Sequence, residues 1–342
     1  MESRRVLIIA EKEFADTISG GKFLLVLAIF LILGITGASQ GVQNYNTALE
    51  HYTTDIQGTD FQGTPFFTDL RPTVLEIFRP MGTGLVIIGA ILGIAVGFDL
   101  ISREKEDHTL KILLSNPVYR DEVITGKVLG GVVTLAITLG AVYGIAIALL
   151  LISGHVPSTW ELGLILIFGG FSLLYLVGYF AIGLAMSTIS DRSGMALMYA
   201  LVIFLFISFI IPPVGTVVEE AFAGEKPLDP YAIYDEPMEE DLISYEAASQ
   251  IYENKRNIMG SLFGFFSLQH NYNEISIAVI SPWRSLLYSG DHSDEPGFYS
   301  PDRNPDMWEV FGGLWHNVIA LILAPVAFFG LAYVKFLRLD IR

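Results

Sequence analysis

The residues of this sequence that could do chemistry are few, and they gather in one place. Asp99 to Lys127 is a charged island between two long apolar runs, and it contains Ser102-Arg-Glu-Lys-Glu-Asp-His-Thr-Leu-Lys-Ile-Leu-Leu-Ser-Asn-Pro117. Leu110, Leu113 and Leu114 follow helical spacing behind acidic residues, and Pro117 predicts a helix break after Ser115. The pattern predicts a short amphipathic helix on a membrane surface, of the kind that docks in a groove on another protein. No Gly-x4-Gly-Lys-Ser/Thr loop is present to cradle phosphates, so the chain carries no ATP-hydrolysing engine of its own. Gly-x-Ser-x-Gly and His-Glu-x-x-His are absent as well. His270 with His292, and Asp291 with Asp294, are the pairs that could ligate a metal. Solvated polar side chains are the favoured reading of both, and no metal is expected. Asp99 and His316 fall near opposite ends of their apolar runs rather than deep within them, which argues against a proton relay or a charged-substrate path. With no cysteine, disulfides and thiolate metal sites are excluded.

The elements that position this island are membrane spans. Apolar residues make up 52% of the chain and charged residues only 16%, and the apolar ones come in unbroken runs, which a water-soluble globule does not need. A bilayer core of about 30 Å takes about 20 apolar residues per helix. Six runs qualify: 23–39, 81–101, 128–152, 162–189, 195–218 and 310–337. The fold class is therefore an all-α integral membrane protein of six transmembrane helices. Before the first span, Val6, Ile9, Ala10, Glu13, Phe14, Thr17 and Ile18 recur at helical intervals, with Glu11, Lys12 and Asp16 on other faces. Residues 1–22 accordingly read as an interfacial helix lying flat on the membrane, with Gly20-Gly21 permitting the bend into it. The first run is read as a retained span rather than a cleaved leader.

An even number of spans places both termini on one side. About 13 of the 20 Lys and Arg residues lie in the segments on that side, and the other 7 are spread over much longer loops, so the termini are expected in the cytoplasm of a plasma-membrane protein. Trp160, Trp283, Trp308 and Trp315 all fall near the predicted outer interface, as an aromatic belt requires. The formal charge of −16 then belongs almost wholly to the outer loops, where it serves solvation. Residues 40–80 show weak periodicity and read as an outer loop. The segment 219–309 opens on a mobile acidic stretch, and Leu242 to Phe266 and Tyr272 to Ile280 form two amphipathic helices over the outer mouth of the bundle. Gly89, Gly93 and Gly97 stand four apart on one face of the second span, a packing seam for another helix of this chain or of a second copy. Residues 23–218 thus hold spans one to five with the charged loop at 102–127, and 310–342 hold the sixth span and a short tail.

Glu104-Lys-Glu-Asp-His-Thr109-Leu-Lys-Ile-Leu-Leu114-Ser-Asn-Pro117, followed by Glu122 and Gly126-Lys127, resembles the Glu-x3-Gly-Thr-x3-Leu-Leu-x2-Pro and Gly-Lys pattern of the type-2 ABC transporter permeases, in the branch that includes the nitrous-oxide-reductase-maturation-type permeases. Glu104, Thr109, Leu113, Leu114, Pro117, Gly126 and Lys127 match the pattern. His108 stands where the family has Gly, which puts the turn conformation of that position at issue. Ala10-Glu-Lys-Glu-Phe14-Ala-Asp16, with Glu11, Glu13 and Phe14, resembles the family's entry helix. Ile18-Ser-Gly-Gly-Lys22 looks like the signature sequence of an ABC ATPase, but it abuts a span with no nucleotide-binding domain around it, and chance explains it.

The resemblance implies a dimer of permeases, each receiving a separate cytoplasmic ATPase at the loop between spans two and three. In that picture Glu104, Glu106, Asp107, His108, Thr109 and the apolar Leu110, Leu113 and Leu114 transmit the ATPase's movement. ATP and Mg would be bound by that partner and no cofactor by this chain. The function expected is the membrane-spanning subunit of an ABC transporter, an exporter, and not an enzyme. The alternative is a mechanical relay, in which the same ATPase work acts on an extracellular partner and nothing crosses. Lipid and a second permease copy are expected partners, and nucleic acid is not.

Overall fold

A computed structural model describes residues 2–58, 72–110, 119–232, 238–288 and 304–339. Helix α1 covers Glu2–Ser19 and α2 covers Gly21–Gly58. The second span, α3, runs Val74–Glu106; α4 runs Arg120–Ile152, α5 Thr159–Ile189 and α6 Ser193–Ala223. Beyond them lie α7 (Glu239–Phe266), α8 (Leu268–Ile280), α9 (Pro282–Tyr288), α10 (Met307–Gly312) and α11 (Trp315–Leu337). Among the described residues, six helices are long and apolar enough to cross a membrane and there is no strand. The chain is an all-α, multi-pass membrane protein.

Helix α5 is the hub. It packs against α3, α4, α6, α8 and α11, and Tyr175, Tyr179, Phe168 and Phe180 on it are buried. Its tyrosines continue an aromatic ladder: Tyr175 stacks on Tyr272 of α8 with centroids 4.5 Å apart and meets Tyr179 edge-on at 5.1 Å. Hydroxyls inside this apolar layer pair with one another, as they must where water is absent. Ser172 Oγ bridges the hydroxyls of Tyr143 and Tyr272 at 2.9 Å each. Gly89, Gly93 and Gly97 face α5 of the same chain. A Cβ on Gly93 would lie 2.8 Å from the Leu176 carbonyl oxygen, so only glycine permits this approach.

Three elements differ from the sequence expectation. Residues 40–58 are not loop: α2 continues to Gly58, about 57 Å at 1.5 Å per residue, far longer than a bilayer core. The polar composition hid this extension, but Gly37 and Gly41 lie against the main chain of Met81 and Ile77, and Tyr45 is buried edge-on to His155 at 4.9 Å. Secondly, α8 does not lie over the bundle. It is wedged among α3, α5 and α11, with Tyr272, Ile275 and Val279 buried, and Asn317 of α11 donates to Asn271 Oδ1 at 3.0 Å. Helix α7, with no buried residue, stands beside the last turns of α6 instead. Thirdly, the last span starts at Trp315, because the chain breaks at Gly312–Gly313 between α10 and α11.

Both described ends of the chain lie at one end of the bundle, called here the near end. Arg120 Nη1 at the start of α4 donates to the carbonyls of Leu337 and Leu339 at 3.1 and 2.7 Å, and Arg5 Nη1 lies 3.8 Å from Glu122 Oε2.

Candidate functional site

The described residues of the charged island sit at the near end and bond to the adjoining ends of α5, α6 and α11. Its geometry starts with a break in α3: after Gly97 the helix loosens into turns at 98–101 and resumes at Ser102–Glu106. Such a break frees main-chain donors, which need acceptors in a buried setting. Ser187 Oγ of α5 takes both, accepting the N–H groups of Ile101 and Ser102 at 2.9 Å each. Two adjacent residues then clasp the α5–α6 turn. Lys105 Nζ donates to the carbonyls of Thr188 and Ser190 at 2.7 and 3.0 Å, at the C-terminus of α5. Glu106 Oε2 accepts the N–H of Ser193 at 3.1 Å, at the N-terminus of α6. A cation at a helix C-terminus and an anion at an N-terminus each match the partial charge of that end, so Lys105-Glu106 fits the turn between two oppositely directed helices.

A buried cation ties in the other side. Lys127 of α4, 4% exposed, contacts Glu13 Oε2 of α1 at 2.7 Å and Glu104 Oε1 of α3 at 2.9 Å. One ammonium thus links three helices. Helix α1 reaches it by packing along the first turns of α4. Gly126 and Gly130 make room: a Cβ on Gly126 would be 2.7 Å from Ile9 Cβ, and one on Gly130 would be 2.9 Å from Glu13 Cβ. Glu11 is exposed and Phe14 half-buried on the same helix.

Past Glu106 the chain turns outward. Asp107, His108 and Thr109 are exposed, and Asp107 Oδ2 lies 3.8 Å from Arg103 Nε. His108 has φ +57°, the one left-handed non-glycine residue among those described. It occupies the position after a helix end that usually takes glycine, so the turn keeps its conformation without the glycine. Thr109 Oγ1 donates to the Glu104 carbonyl at 3.4 Å. Leu110 is 2% exposed and packs in the main core, which makes it an anchor of the loop rather than part of an exposed apolar face. Leu113, Leu114 and Pro117 lie outside the described residues, as do His292, Asp291 and Asp294. The structure therefore brings Glu13, Glu104 and Glu106 into one bonded assembly and leaves Asp107, His108 and Thr109 at its surface. Sequence reasoning missed Lys105, Ser187 and Arg120. Lys127 was legible through the Gly126-Lys127 match and as the last charge before the apolar run of α4.

Among the described residues, no group of three or more His, Asp or Glu side chains could hold a metal. The near end presents a short exposed turn whose flanks are bonded to α1, α4, α5 and α6. Fold and site together define a multi-pass membrane protein with a surface loop linked to its helices. The chain belongs to the ABC-2 family transporter proteins, whose family pattern it matches over residues 7–341. It is also similar to a probable ABC transporter permease protein NosY of Pseudomonas aeruginosa, 28% identical over 202 residues that cover 59% of this chain and 66% of that protein.

Proposed function

We propose that this chain is the membrane-spanning permease subunit of an ABC transporter, driven by a separate ATPase that docks on the near-end loop. The near end is then cytoplasmic, as the distribution of Lys and Arg requires. Membership of the ABC-2 family supports the reading, and so does the likeness to a probable ABC transporter permease. The single observation that carries it is the Lys105-Glu106 clasp with the Glu13–Lys127–Glu104 link. A load applied at Asp107 to Thr109 reaches four helices through bonded contacts rather than through a slack loop. ATP and Mg reside on the partner, two copies of the permease form the transporter, and export is the direction. Co-purification with the ATPase and reconstitution into vesicles tests this: the complex should hydrolyse ATP and move a solute or lipid, and the permease alone should do neither. Leu113→Asp should lower recovery of the ATPase without unfolding the bundle. Hydrolysis by the isolated chain would overturn the proposal.

A second reading has one observation in its favour. Helix α7 has 28 residues, none of them buried, and forms with the end of α6 a hairpin at the far end. A surface of that size suits a relay that acts on an extracellular partner. ATP hydrolysis by the complex without flux of any solute or lipid would favour it over transport.

A further inference from the structure

Helices α3 and α6 each contain one π-helical turn, at Leu85–Gly89 and Phe206–Ile210. A π turn holds one residue more than an α turn, loosens the local ladder, and occurs mostly at functional positions. Both of these are met by the same helix. Tyr175 of α5 donates its hydroxyl hydrogen to the Val86 carbonyl within the first π turn, and the Tyr179 hydroxyl pairs with Ser208 Oγ within the second at 3.2 Å. The two tyrosines are four residues apart, one turn of α5.

The packing changes partner at each π turn. In α3, the near half Ala90–Gly97 lies in the glycine seam against α5, and the far half, from Val74 to Gly84, lies mainly on α2 and α8 and meets α5 only around Phe168. In α6, the near half Ser193–Leu205 packs on α5 and α3, and the far half Ile211–Ala223 packs on α7, where Gly215 meets Phe263. Each helix therefore belongs to two packed bodies, with a wide turn at the boundary. The near body, of α5 with both near halves, is the one bonded to the near-end loop through Ser187, Lys105 and Glu106.

We propose that the two π turns are a pair of hinges, and that Tyr175 and Tyr179 are positioning residues that hold both in register from α5. The near body moves as a unit, and the far halves of α3 and α6 swing relative to it. A straight helix would instead carry the motion unchanged from end to end. The hydroxyls are the latch because each meets its hinge where the ladder is loosened, so their removal frees the hinges without opening a cavity.

The sequence has no cysteine, so label pairs can be introduced without background. A far pair, Thr83→Cys with Val217→Cys, and a near pair, Ile91→Cys with Val202→Cys, occupy exposed positions on either side of the hinges. Spin-label distances in the permease alone test the latch: Tyr175→Phe with Tyr179→Phe should broaden the far-pair distribution and leave the near pair and the melting temperature nearly unchanged. An unchanged far pair, or both pairs broadening together, overturns the role of the tyrosines. With the ATPase bound, an arm that rests on the proposed function, trapping the ATP-bound state should shift the far pair by about 5 Å or more with the near pair constant. Equal shifts in both pairs, or none while ATP turns over, overturn the hinges. The first arm needs no ATPase, so failure of docking and failure of the hinges are distinguishable.

Discussion

Lys127→Met should be among the most destabilising single changes at the near end. The methionine fills the same volume but leaves the Glu13 and Glu104 carboxylates facing each other without the ammonium that sits 2.7 and 2.9 Å from them. Removing one partner of a buried ion pair costs about 3–5 kcal/mol. The two carboxylates are 19% and 22% exposed, so water screens part of their repulsion and the low end, about 3 kcal/mol, is the expected loss. An unfolding entropy of about 2.1 cal/mol/K per residue over 342 residues turns that into a fall of roughly 4 °C in melting temperature. Thermal unfolding in detergent, followed by circular dichroism, measures it. The triple variant Lys127→Met, Glu13→Gln, Glu104→Gln should recover most of the loss, because replacing all three members removes the uncompensated charges. A single variant that melts like the parent, or a triple variant no better than the single, would refute the reasoning that this ammonium holds α1, α3 and α4 together.

The remaining expectations concern individual contacts. His108→Gly should raise stability by up to about 1 kcal/mol, since glycine adopts the left-handed conformation without cost, and His108→Ile should lower it by a similar amount; paired melting curves give the two signs. Gly93→Ala should cost about 1–3 kcal/mol by forcing a Cβ against the α5 main chain, whereas Gly140→Ala, with nothing within 4 Å, should gain up to about 1 kcal/mol from helix propensity. Equal effects at the two glycines would place the seam against lipid. Ser187→Ala should cost about 2 kcal/mol by orphaning two buried N–H groups, and hydrogen exchange at Ile101 and Ser102 should speed up in step.

The six spans were legible because a bilayer demands long apolar runs, and nothing subtler was needed to find 128–152 or 162–189. The extension of α2 past Ser39 was not, because Gln40 to Thr54 is largely polar on its exposed faces and only tertiary contact, through Gly41 and Tyr45, shows which face is covered. Helix α8 was legible as a helix and not as a wedge, since Tyr272 and Ile275 suit a surface stripe as well as a core. At the site, the island itself announced its charge, but the hydrogen-bond partners of Lys105 and Glu106 are backbone groups of residues 188–193, which carry no side-chain signature. The π turns left no trace in composition either. They are written in which helix packs on which.

The most direct test of the whole account is a photo-crosslinking side chain placed at Asp107, on the exposed turn, in intact membranes that contain the transporter. The account predicts that it captures a cytoplasmic protein whose sequence carries a phosphate-binding Gly-x4-Gly-Lys-Ser/Thr loop. Crosslinking at Asp107 to a protein on the opposite side of the membrane would contradict it.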